Sequence, residues 1–209
     1  MRSRTCVAVP EILRRSFSEV MLREIHHRVR NNLQVVSSLI QIEALQIADP
    51  DARRRLGEVS RRIGALGHLH EQLYSAADFS SIDCGDHLNR LCLTLMQSYE
   101  YRGIRLITEV APLRCDLDTA IPLGLITHEL LYDTAERLAS RRIAMEITVG
   151  LGRRGDSVVL AIRGAGPAAA ELWGPGHRIL HALTGQLEAH IGLDDDGAVV
   201  SMAGSRFLG

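Results

Sequence analysis

Leu22–Ala44 reads LREIHHRVRNNLQVVSSLIQIEA, and the fold of the N-terminal third follows from it. Leu22, Ile25, Val29, Leu33, Val36, Ile40 and Ile47 recur at three- and four-residue steps, which predicts an amphipathic helix with one buried stripe. At about 100° per residue, His27 lies nearly opposite Ile25 and Val29 and is expected to face water. His26 lies within about 60° of Val29 and flanks the seam, while Asn31 follows His27 by one turn on its face. A neutral imidazole near pH 7 carries a free ring nitrogen that can attack an electrophile. That makes His27 the candidate reactive group, although an isolated histidine pair on a helix surface is ordinarily just solvated.

The flanking residues change that reading. HRVRNNLQ, residues 27–34, closely resembles the phosphoacceptor motif HRVKNNLQ of bacterial sensor histidine kinases of the HWE class and its sister HisKA class. The resemblance implies that His27 accepts phosphate and that Asn31 is the family's following asparagine. Arg28, Arg30 or Asn31 could steady the phosphoryl oxygens.

The first helix is expected to run from about Pro10 to Ala48 and stop at Asp49-Pro50, because the residue before proline is driven out of helical geometry. Leu56, Val59, Ile63, Leu66, His70 and Leu73 keep helical spacing over Asp51–Tyr74, so the two segments make a long hairpin with matched apolar stripes. Such a hairpin cannot bury both stripes alone. Two copies packed as a four-helix bundle would, as the resembled family does through its dimerisation and phosphotransfer domain, so a homodimer is expected.

SAADFSSIDCG, residues 75–85, is small and polar and reads as a linker in which Asp83 or Ser81 caps the next helix. Helices are predicted over Asp86–Tyr101, Leu117–Ala139 and about Pro175–Leu187. Strands are predicted over Ile104–Val110, Ile143–Gly150 and Val158–Arg163, with two more around the turn Asp194-Asp195-Asp196-Gly197. The expected class is α+β: a dimerising histidine phosphotransfer hairpin over 1–76, a linker over 77–84, and a two-layer α/β sandwich over 85–209. Its order of elements resembles the ATP-binding catalytic domain of the same kinases.

Its nucleotide motifs depart from that family. The family's Asn box resembles NELVTNALKH; here residues 128–137 read HELLYDTAER. Glu129 is kept, but the first Asn position holds His128, the magnesium Asn position Asp133, and the phosphate-binding Lys position Glu136. Replacing a cation by an anion near a triphosphate costs several kcal/mol at partly buried geometry, on the order of 332/(εr) with ε about 20. In the family's DxGxG loop an Asp accepts the adenine amino group; here LAIRGAGPA keeps Gly164 and Gly166 but has Ile162 and Arg163 where the Asp pair stands. An unpaired polar group on a buried ligand costs about 1–3 kcal/mol. A short lid, Pro167 to Trp173, and a trace of the following glycine box, Gly174 and Gly176, remain. These positions are read as a degenerate ATP site that holds no nucleotide cofactor and no metal.

The rest of the composition narrows the partners. The 209 residues are long enough for a real core, and no apolar run approaches the roughly 18 residues of a membrane span. No signal peptide is recognisable, so the cytoplasm is the expected location, without membrane contact. All 24 basic residues are Arg, which removes Schiff-base chemistry and any Lys phosphate clamp. Residues 1–74 carry 12 Arg against 8 Asp plus Glu, a net of +4 that leaves −5 for the remainder, so an acidic partner surface would suit the helical part. There is no basic run and no nucleic-acid motif. Cys6, Cys84, Cys92 and Cys115 show no CxxC spacing and are expected as buried free thiols. His68, His70, His87, His177, His181 and His190 form no metal motif.

Taken together, these features predict a histidine phosphotransferase. His27 would take a phosphoryl group from one response-regulator receiver domain and pass it to another, the receiver bringing Mg2+. A relay needs no sensor domain, and none is expected before residue 10. The rivals are an autophosphorylating kinase with a divergent ATP site and a non-catalytic pseudokinase that promotes receiver dephosphorylation through Asn31.

Overall fold

The computed structural model describes residues 11–74, 81–97, 103–141, 145–164, 177–194 and 196–208. The chain divides into two compact units, Met1–Ser75 and Ala76–Gly209.

In the first unit α1 (Glu11–Gln46) and α2 (Pro50–Tyr74) form the expected hairpin. Proline stands at the first position of α2, where its missing N–H is no loss. Asp49 Oδ1 accepts from Asp51 N at 3.0 Å, and the Arg53 guanidinium donates to the Ile47 carbonyl at 2.6 and 3.1 Å, satisfying an orphan acceptor at the end of α1. Midway along the hairpin, the hydroxyls of Ser37 and Ser60 lie 2.8 Å apart and each reaches the other's backbone carbonyl at 3.0 Å. Small residues there let the helices approach closely, as does Gly67 against Leu33.

The single buried stripe predicted for α1 needs correction. Ala44 is buried and Val29, Leu33, Ile40 and Ile47 are half-buried, but Ile25 and Val36 are exposed, and so are Val35, Leu39, Ile42 and Leu45. Val35, Leu39 and Ile42 follow one another at four- and three-residue steps and share a face. One neighbouring helix covers only one side of α1, so a second apolar face is left at the surface of the chain.

The second unit is built from β1 (Ile82–Asp83), α3 (Cys84–Met96), β2 (Ile104–Val110), β3 (Arg114–Cys115), α4 (Leu117–Arg141), β4 (Met145–Arg154), β5 (Ser157–Arg163), α5 (His177–Gln186), β6 (His190–Leu193), β7 (Gly197–Ala203) and β8 (Phe207–Leu208). Five strands form a mixed sheet in the order β2-β4-β5-β7-β6, with β2 parallel to β4 and the other pairs antiparallel. Alternate residues point inward: Ile147, Val149 and Leu151 from β4, Val158, Leu160 and Ile162 from β5, and Ala198, Val200 and Met202 from β7. They form the core with Leu123, Ile126, Leu130 and Leu138 of α4, which packs on α3, α5 and the sheet. This is the two-layer α/β arrangement the sequence predicts.

Three differences from the sequence reading concern the start of this unit. α3 begins at Cys84 rather than Asp86, because Asp83 caps it: its carboxylate accepts from Asp86 N at 3.0 Å. A second sheet, β1-β3-β8, has strands of two residues each, too short to leave a periodic signal. This sheet also overturns the expectation of free thiols, for Cys84 and Cys115 are joined as a disulfide with Cα atoms 6.3 Å apart. The pairing of Ile82 with Cys115 and of Asp83 with Arg114 brings the two together across a sequence separation of 31. Cys92 is the buried free thiol among the described cysteines, its pKa pushed up to about 12 by burial, and Cys6 lies outside the described residues.

Candidate functional site

On α1 the His27 side chain is exposed, and so is Asn31 one turn further on. The surrounding charges are organised in pairs. Arg28 Nε donates to Glu24 Oε1 at 2.8 Å, one turn back on the same helix. Arg30 is half-buried and pairs across the hairpin with Glu71 of α2, while its Nε is buried without a partner. The exposed Arg28 pair contributes little to stability, about 0.3–0.5 kcal/mol for this spacing, whereas the Arg30 pair ties α1 to α2. Arg30 also borders a cavity of about 390 Å³ between the two helices, with Gln34, Ser38 and Gln41 from α1 and Ile63, Gly64 and His68 from α2. Gly64 faces open space there, since a Cβ added to it would meet nothing within 4 Å.

Thus His27, Asn31, Arg28 and Arg30 sit on one helix, and of the four Arg30 lines the polar groove. Sequence reading found the helix residues but neither Glu71 nor the groove. Those depend on which turn of α2 lies opposite Arg30, and a separation of 41 residues leaves no local trace. The placement inferred for His26 lies outside the described side chains.

In the second unit the motif-bearing residues lie on α4 and at the end of β5. His128 and Glu129 are buried. His128 Nδ1 stands 3.4 Å from Glu129 Oε1 without making a hydrogen bond, and its ring stacks over Tyr132 at 6.4 Å between centroids. Asp133 is half-buried and Glu136 exposed; spaced four and seven residues from Glu129, they form one acidic face. Ile162 is only 1% exposed, set in the sheet between Val149 and Ala198. Gly164 has φ +116, and a Cβ there would collide with the Glu146 carbonyl oxygen; its N–H donates to the Asp196 carbonyl at 3.0 Å. Backbone packing therefore accounts for this glycine. Gly166, the lid over 167–173, Gly174 and Gly176 lie outside the described residues. Among the described residues no cluster of three or more His, Cys, Asp or Glu is placed to hold a metal ion.

The second unit thus has the fold of a histidine kinase catalytic domain. Solved structures similar to the chain include the histidine kinase domain of the Erythrobacter litoralis EL346 blue-light activated kinase, at 21% identity, TM-score 0.62, 92% of this chain and 94% of that one. The catalytic domain of the histidine kinase ThkA matches at 11% identity and TM-score 0.50, over 60% of this chain and 95% of that one.

The first helices carry a family signature of their own. Residues 24–99 match the HisKA_2 profile, described as histidine kinase. The chain is similar to the sensor histidine kinase PdtaS of Mycobacterium tuberculosis, 31% identical over 121 residues that cover 56% of this chain and 24% of that protein. It is also similar to the blue-light-activated histidine kinase 2 of Erythrobacter litoralis, 25% identical over 58% of this chain and 36% of that protein. The match therefore spans about a quarter to a third of the length of these relatives. No helix among the described residues is long and apolar enough to cross a membrane.

Proposed function

We propose that this protein is a histidine phosphotransferase that relays phosphoryl groups between response-regulator receiver domains through His27. The observation that carries the reading is the pairing of an exposed His27 on the hairpin with a buried Ile162 where the family's adenine-binding carboxylate stands. The acidic face of Asp133 and Glu136 adds charge of the wrong sign for a triphosphate. The residues present do not fit a bound nucleotide.

In the transfer, a neutral imidazole nitrogen of His27 attacks the phosphorus of a receiver's aspartyl phosphate. The P–O bond breaks, the carboxylate leaves with the electron pair, and the imidazole proton passes to solvent. The reverse sequence loads the second receiver. Placement and charge compensation supply most of such catalysis. The receiver brings Mg2+, and Asn31 can donate its amide protons to the transferring oxygens. Because Arg28 and Arg30 already hold carboxylates, their contribution requires an exchange of partners. The groove beside Arg30 is suited to a docking element of the receiver. The exposed face of Val35, Leu39 and Ile42 supports a homodimer completed as a four-helix bundle, and the location proposed is the cytoplasm.

The test mixes the chain with a receiver domain carrying labelled phosphate. Label on the wild-type chain and none on His27→Ala is expected. A relay that persists in His27→Ala refutes the reading. The names of the relatives favour a second reading, an autophosphorylating kinase; acid-labile label on His27 after incubation with labelled ATP and magnesium would establish it instead.

A further inference from the structure

We propose that Cys84 and Cys115 form a reversible oxidation site, closed by low-molecular-weight disulfides and opened by dithiols, that locks the start of α3 to β3. The two sulfurs are fully buried, but the elements around them are slight. β1, β3 and β8 are two-residue strands, and so short a sheet opens at a small fraction of the global unfolding free energy. Cys84 is the first residue of α3, so the bond ties the start of that helix to β3. Its own N–H donates to the Leu113 carbonyl at 2.7 Å, two residues before Cys115 in the chain. Arg114 holds the same corner, donating to the Ser81 hydroxyl at 2.6 Å and the Ser81 carbonyl at 2.7 Å.

Cys92, two turns further along α3, is buried in the helix interior with its thiol held protonated, so local opening of the small sheet does not activate it. The site is therefore a selective pair.

Closure by oxidised glutathione balances in two steps. Cys84 thiolate attacks one sulfur of the glutathione disulfide, forming a mixed disulfide and releasing one glutathione thiolate. Cys115 thiolate then attacks the Cys84 sulfur, forming the protein disulfide and releasing the second glutathione thiolate. The two thiol protons end on the two glutathiones. The protein is oxidised by two electrons, and the glutathione disulfide is reduced by two.

The full chain, first reduced and freed of reductant, is incubated with oxidised glutathione, then denatured, alkylated and mapped by mass spectrometry. A linked Cys84–Cys115 peptide and a fully alkylatable Cys92 are expected. Dithiothreitol should lower the melting temperature of the oxidised wild type by on the order of 10 °C, given the loop closed between the two cysteines, and leave that of Cys115→Ser unchanged. Should that variant not fold, the wild type with and without dithiothreitol carries the same information. Stable glutathione adducts without a linked peptide, oxidation of Cys92 at the same rate, or a melting temperature indifferent to dithiothreitol would each overturn the proposal.

Discussion

Replacing Ile162 by Asp introduces a carboxylate where the resembled DxGxG loop has one, at a position where burial makes a carboxylate costly. The Ile162 side chain is 1% exposed, in a row with Val149 and Ala198 on the inner face of the sheet. Truncation to Ala removes its buried methylenes and leaves a cavity, at a cost of about 2–5 kcal/mol. Asp at the same point adds the desolvation of a carboxylate, which raises its folded-state pKa above the unfolded value of about 3.9. A raised carboxyl pKa means the native state binds the proton more tightly, so stability falls as pH rises from about 4 towards the folded pKa. If the buried group is still protonated at pH 7.5, the gap between Ile162→Asp and Ile162→Ala widens between pH 5 and pH 7.5. At about 1.36 kcal/mol per unit that is about 3 kcal/mol. Urea unfolding of both variants at the two pH values reads this directly, with Ile162→Ala cancelling effects common to the protein. An Ile162→Asp protein as stable as wild type at pH 7.5, and binding magnesium-ATP, would mean that the end of β5 opens into a nucleotide pocket. The assignment of a lost ATP site would then be wrong.

Three further outcomes are expected. Leu39→Asp together with Ile42→Asp, on the uncovered face of α1, should convert a dimer to a monomer in light scattering at micromolar concentration; a wild type that already scatters as a monomer contradicts the bundle. His87 is buried, its Nε2 unpartnered, and burial, with Arg90 adding to it, lowers its pKa to about 4. The native state therefore refuses a proton that the unfolded chain accepts, and about 3 kcal/mol of stability should be lost as pH falls from about 6.5 to 4; in His87→Gln that acid limb should flatten, as followed by urea midpoints. Asp83→Ala removes the cap of α3 and should cost about 1 kcal/mol, measured by thermal unfolding at neutral pH.

Much of the fold was legible because its signals are local. The periodicity of α1 and α2, the Asp49-Pro50 break, the strand Ile104–Val110 and the long helix α4 each follow from residues within a few positions of one another. The small sheet β1-β3-β8 was not legible, since two residues carry no period and their partners lie far along the chain. The same holds for the disulfide, for which spacing alone suggested free thiols.

By itself the sequence determined the helical hairpin, the α/β unit that succeeds it in the chain and the exposed His27 with Asn31 on its face, because side-chain direction on a helix is set by a fixed rotation per residue. Tertiary structure alone decided that Arg30 is tied to Glu71 beside a polar groove, that α1 carries a second, uncovered apolar face, that Gly164 answers to the Glu146 backbone, and that Cys84 meets Cys115. The physical reason is common to all four. Each depends on the register between elements distant in sequence, which close packing of many side chains selects together and no local pattern encodes.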